Sequence, residues 1–219
     1  MARSQQLRDA IPPIRSLRYP SARPLLDDER VHMEYFHVVC AREFALYFEL
    51  PIWENVILQG TLTEPALHHA ALAIGTLSRD RYHPAIGEAS SATLFSIRHY
   101  GLALQALCSR LDESSQTLEI AVFCSVVFSH IEFLLGMDSQ VEVHLQAGGT
   151  MLESLYIRHE RAIPISSGIS SNPLIERLSA NYDLLATAIF QLTTQLHSFI
   201  ALEGSRPRSG NYANDQSCG

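Results

Sequence analysis

No lysine occurs anywhere in the 219 residues; all 16 basic residues are arginine. That absence removes every chemistry that needs a lysine amine: Schiff-base and pyridoxal-phosphate catalysis, and phosphate loops whose lysine reaches the nucleotide. Cysteine is sparse too, with four residues at positions 40, 108, 124 and 218. They are too scattered for a metal knuckle, and the first three sit in apolar runs that suit reduced, buried thiols of an intracellular protein. No stretch alternates polar and apolar residues as a strand would, no internal repeat recurs, and no Gly-x-Ser-x-Gly nucleophile elbow is present. The first eight residues lack an apolar h-region, so no secretory signal is expected.

What remains is a helical chain. Hydrophobic residues make up 47% and charged residues 18%, the balance of a globular protein with a sizeable core. The stretch 118–155 organises it. From Ile120 to Leu135 the residues are apolar on every side, as in a helix buried on most faces, and Gly136 supplies a residue that tolerates a left-handed helix end. This run sits at the short end of membrane-spanning lengths and contains Ser125, Ser129, His130 and Glu132, so it reads as buried core. Ser139 and Glu142 form a Ser-x-x-Glu capping box for the next helix. So short a break makes an antiparallel hairpin, in which residues equidistant from about Met137 face each other. Glu132 and His144 satisfy that condition.

Around this hairpin the chain divides in order. Residues 1–26 combine five arginines and one aspartate with Pro12, Pro13, Pro20 and Pro24, which predicts a disordered basic arm or linker of charge +4. The remainder then carries −11 of the −7 total. A helix is expected from Asp27 to Leu50, with an apolar face at 31, 35, 38, 39 and 46 and a stop at Pro51. The segment 52–58 reads as a short apolar turn ending at Gly60, and Thr63-Glu64-Pro65 as the start of a helix to about Leu77. A loop over 80–91 precedes a helix from about Ala92 to Leu111. After the hairpin, a Pro/Ser/Gly loop over 162–171 leads to Asn172-Pro173 and a last helix. That helix places Ile175, Leu178, Tyr182, Leu185, Ile189, Leu192, Leu196 and Phe199 on a heptad seam with few flanking charges, which favours packing inside a bundle and makes the seam the expected partner surface if the rest of the bundle is missing. Residues 204–219 read as a disordered tail, leaving one helical domain over 27–203. The expected fold is all-α: about seven helices in a bundle of antiparallel hairpins.

Candidate sites are few, and no catalytic, cofactor-binding or metal-ligating set emerges. Ten histidines invite a metal hypothesis, and Glu34-x-x-His37 has di-iron spacing, but that fold needs the motif twice with two further carboxylates. His68 and His69 point to different sides of one helix, so at most one is expected to face a shared site. Gly148-Gly149 lies within a helical pattern and not between strand and helix, which makes it a helix-contact point and not a phosphate loop. Glu132 and His144 read as a structural pair, because polar groups are costly to bury unless bonded.

Several stretches together resemble a known family, the fungal-specific transcription factors in which a binuclear zinc cluster is followed by an all-helical regulatory region. They are Glu34-Tyr35-Phe36, the run 53–59, the run 64–75, Tyr100–Leu107, Phe128…Glu132…Leu135-Gly136 and His144–Leu152. The resemblance spans about residues 32–155 and lies in the order of loose motifs. It implies a non-enzymatic, nuclear regulatory and protein-interaction region, with partners among full-length family members or itself. Zinc is expected only in the six-cysteine cluster, which this sequence lacks. Without it, no specific DNA binding by this chain alone is expected, and no membrane association either. The competing expectation is a small helical enzyme or ligand carrier with an interhelical pocket, supported by the polar set Glu34, His37, Glu132 and His144.

Overall fold

The computed structural model describes residues 25–82, 89–110, 117–161, 174, 178 and 182–204. Among these residues the protein is all-α, with seven helices and no strand. The expected arm over 1–26, the loop over 162–171, the Asn172-Pro173 cap and the tail after 204 fall wholly or almost wholly outside the described residues. The helices gather in two compact units, Met1–Ser109 and Arg110–Gly219, within the stretch expected as one helical domain.

In the first unit, α1 runs Asp27–Tyr35, passes through a π-helical turn at Phe36–Cys40 and continues as Ala41–Tyr47. Asp27, Asp28 and Glu29 occupy its first turn, where the helix dipole favours carboxylates, and Glu29 reaches back to accept the Leu26 amide at 3.0 Å. The buried stripe is Met33, Phe36, Cys40, Ala41, Phe44 and Phe48, whereas Val31, Val38 and Leu46 of the expected face are exposed. The helix carries apolar residues on two faces, and the π turn, closed by the Ala41 amide on the Phe36 carbonyl, inserts one residue into the repeat. Periodicity alone therefore picked the wrong face. The helix ends in a Schellman motif: Leu50 and Glu49 donate to the Ala45 and Leu46 carbonyls at 3.1 and 3.2 Å, with Glu49 in the left-handed region at φ 55°.

Pro51 ends that helix by beginning the next. It is the N-cap of α2, Ile52–Thr63, so the segment expected to be a turn is a three-turn helix, and Gly60 lies inside it rather than at its end. The run was too short and too uniformly apolar for its period to show. Trp53 is fully buried and stacks on Phe48 with ring centroids 4.6 Å apart. Thr63 belongs to the last turn of α2 and donates to the Gln59 carbonyl, while Glu64 is extended and Pro65 opens α3, Pro65–Tyr82. Gly75 of α3 lies under α1: a Cβ there would meet the His32 carbonyl and the Phe36 side chain. Finally α4, Ala89–Arg110, is tied to α3 by Ser96, whose hydroxyl reaches the Ala73 carbonyl at 3.3 Å.

The second unit is the hairpin of α5, Thr117–Leu135, and α6, Asp138–Arg161, with α7, Tyr182–Gly204, packed on both. Gly136 has φ +71° and closes a second Schellman motif, with the Met137 and Gly136 amides bonded to the Glu132 and Phe133 carbonyls at 2.8 and 3.1 Å. Helix α6 starts at Asp138, so Ser139 lies in the first turn instead of capping it, and Glu142 accepts a bond from Gln146. The core joins Phe123, Val127, Phe128 and Ile131 of α5 to Leu145 of α6 and to Leu185 and Ala188 of α7. Two helices have the length and apolar composition of a membrane span: Leu118–Leu135, two-thirds of which is buried within the protein, and Tyr182–Ala201, which is 22% buried.

Candidate functional site

A cavity of the first unit, about 560 Å³, opens beside the N-terminal ends of α1 and α3 and one flank of α4. Its apolar wall comes from Leu25, Leu62, Phe95 and Leu102. Its polar lining comes from Glu29, Thr61, Glu64, His68, His69 and His99, with Arg98 exposed at the rim. Glu29, Thr61, Glu64 and His99 are all buried. Both His68 and His69 therefore line one cavity, against the expectation that only one of them faces a shared site. Adjacent helical residues differ by about 100° in direction, an arc that a broad cavity at a helix end covers.

The histidines are electrostatically linked. The Nδ1 atoms of His69 and His99 lie 3.2 Å apart, a hydrogen bond that requires a proton on one and a lone pair on the other. Burial, reinforced by the neighbouring His69 ring, pushes the His99 pKa down to about 4, so this ring is neutral near pH 7. Its Nε2 faces the Glu29 Oε1 at 3.9 Å, beyond a direct hydrogen bond. His37 is likewise held down to about 4 by burial and then by His68, and its Nε2 lies 3.2 Å from the Thr61 hydroxyl. The Thr61 and Thr63 hydroxyls donate to the Leu58 and Gln59 carbonyls, leaving their oxygens as acceptors. A cavity edged by carboxyl and hydroxyl oxygens beside two paired imidazoles can bind and orient. The one hydroxyl that the described residues place beside an imidazole here, Thr61 next to His37, has its proton committed to the Leu58 carbonyl.

The cavity lining includes none of Glu34, His37, Glu132 and His144, the set on which the enzyme or carrier alternative rested. Glu34 is exposed on α1. In the hairpin, His144 Nε2 lies 3.1 Å from Glu132 Oε1, with the Glu132 side chain 3% and the His144 side chain 22% exposed. The Phe128 ring packs edge-on against the imidazole at 5.7 Å. The two glycines of α6 differ. A Cβ on Gly148 would collide with the Ser125 hydroxyl and lie 3.2 Å from Ile189, so α5 and α7 both come close there, whereas one on Gly149 would meet nothing within 4 Å.

The heptad seam is used unevenly. Leu178, Leu185 and Ile189 are buried, Tyr182, Leu192 and Leu196 are half-buried, and Phe199 is exposed; Ile175 lies outside the described residues. Beyond Ile189 the helix loses much of its cover, with Phe190 74% exposed and Phe199 and Ile200 open as well. The cysteines do not share one environment: Cys40 and Cys124 are buried, and Cys108 is exposed on α4, contrary to expectation. Among the described residues no three His, Cys, Asp or Glu side chains come together in a way that could hold a metal ion, so they do not fit a zinc cluster.

A family model described as "Fungal specific transcription factor domain" matches residues 31–215, most of the chain and both helical units. The protein belongs to the fungal-specific transcription factor domain family. No curated protein and no solved structure matches the chain. Membership assigns the domain to transcription regulation and points to a non-enzymatic role. The cavity and its buried acceptors escaped sequence reading because Glu29, His69 and His99 come from three helices and Glu64 from the junction between α2 and α3, with no local motif between them. The one available signal was the pair of adjacent histidines one turn into α3.

Proposed function

We propose that the chain serves in the nucleus as a regulatory, protein-interaction region of a fungal transcription factor and does not itself recognise DNA sequence. The observation that carries the reading is the family match over 31–215. Three features support its finer parts. No six-cysteine cluster occurs in the sequence to supply a groove-reading element and its base contacts. The residues after 26 carry −11, which repels a phosphate backbone and leaves only weak, salt-sensitive contact through the arginine-rich arm. The C-terminal half of α7 offers Phe190, Phe199 and Ile200 as exposed apolar side chains beside the half-buried Leu196, the kind of surface that association buries.

The partner fitting that surface is a second copy of the same helix, in this chain or in a full-length relative, because the half-used heptad seam is self-complementary across a two-fold axis. Sedimentation velocity tests it. The chain should self-associate with rising concentration, and Phe199→Glu together with Phe190→Glu should return it to the monomer. A wild-type chain that stays monomeric at high micromolar concentration would remove α7 from the reading.

A further inference from the structure

We propose that the outer face of α4 is a docking surface for an acidic amphipathic helix of a partner protein. Leu94, Ile97, Gly101, Leu104 and Cys108 stand three or four residues apart, so they form one stripe along the helix, while Ser96, His99, Tyr100 and Ala103 turn inward and are buried. Leu94 and Ile97 are 65% and 50% exposed, Gly101 and Cys108 are exposed, and Leu104 is half-buried. Three observations bear on what covers this stripe. A Cβ on Gly101 would meet nothing within 4 Å, so packing among the described residues does not call for glycine there, although glycine weakens a helix interior. Close approach of a second backbone from outside does call for it. Residues 89–110 hold no Asp or Glu, in a chain with 23 of them. Arg98, exposed beside Leu94 and Gly101, makes no ion pair among the described residues. A helix laid across the stripe comes nearest at Gly101, sets apolar side chains spaced three and four apart against Leu94, Ile97 and Leu104, and offers a flanking carboxylate to Arg98. A basic partner would meet Arg98 as a like charge, and a second copy of α4 would bring two arginines to an interface to which it contributes no carboxylate. At about 150 mM salt, charges farther off than about 8 Å are largely screened, so Arg98 and not the net charge of −7 sets the local preference.

This inference does not depend on association through α7, and its test uses the full chain carrying Phe190→Glu and Phe199→Glu, which removes that surface. The probe is a labelled synthetic helical peptide with leucines at i, i+3, i+4 and i+7 flanked by glutamates, compared with versions in which glutamine or lysine replaces every glutamate. Fluorescence anisotropy at about 150 mM salt reads the affinities. The glutamate peptide should bind, the glutamine version about fivefold more weakly, the ratio for one exposed charge pair, and the lysine version more weakly still. Arg98→Glu should reverse that order. Gly101→Gln fills the notch with an uncharged, good helix former, so the melting temperature should rise while affinity for the glutamate peptide falls about tenfold. A glycine kept only for the fold would not separate those two readouts. No binding of the glutamate peptide, an unchanged order in Arg98→Glu, or full affinity in Gly101→Gln would each overturn the proposal. So would self-association that Gly101→Gln abolishes, which would put a second copy on the stripe, or a preference for phosphatidylserine vesicles over the peptide, which would make it a membrane contact.

Discussion

Replacing His144 by alanine removes the partner of a nearly buried carboxyl group. Glu132 keeps a side chain only 3% exposed, and its Oε1 loses the imidazole nitrogen at 3.1 Å. Leaving such a group without its hydrogen bond costs about 1–3 kcal/mol, so a loss of about 2 kcal/mol is expected. At about 2–4 °C per kcal/mol for a chain of this length, the melting temperature should fall by roughly 4–8 °C. Glu132→Gln alone should cost a similar amount, because an amide pairs less strongly with the ring. In the double variant neither residue needs the other, so its loss should fall short of the two single losses added together by about 1 kcal/mol. Far-UV circular dichroism is the right probe, since the single tryptophan lies in the first unit and would not report on the hairpin. Strict additivity of the two substitutions would refute the pairing.

Other substitutions test the packing. Gly148→Ala should destabilise by about 1–3 kcal/mol through its collision with Ser125 and Ile189, whereas Gly149→Ala, with open space around the new methyl, should stabilise by about 0.5–1 kcal/mol; urea melts of both would show opposite signs. Glu49→Gly should raise stability by about 1 kcal/mol in the same assay, since it relieves a left-handed conformation that a side chain disfavours. The first unit should be acid-labile. His37 and His99 are held near 4 when folded and titrate near 6.5 when unfolded, so the unfolded chain binds more protons between those values. Their contribution is complete above about pH 6.5 and is lost as pH falls toward 4. Trp53 fluorescence should follow that loss, and His99→Gln should flatten it.

The hairpin was legible in the sequence because its signals are local. A uniformly apolar run predicts a buried helix, and Gly136 and the residues beyond it fix a turn that sets Glu132 opposite His144. Helix α1 was legible as a helix, but its buried face was not. A π turn shifts the register without leaving a mark in composition, so the stripe through Met33, Phe36 and Phe44 lost to a competing one through Val31 and Val38. The segment Ile52–Thr63 failed for a related reason: Pro51 stops one helix and starts the next, and either reading alone is sensible. The cavity was invisible because proximity of Glu29, Glu64 and His99 is created by tertiary packing, which no spacing along the chain encodes.

The role proposed for this chain is regulation of transcription through protein partners, without reading DNA sequence itself. In-vitro selection from a random-sequence duplex library at about 150 mM salt tests it most directly, because nonspecific arm contacts are screened there and specific ones survive. Weak retention and no enriched motif are expected after repeated rounds. Recovery of a common sequence bound with nanomolar affinity would contradict it.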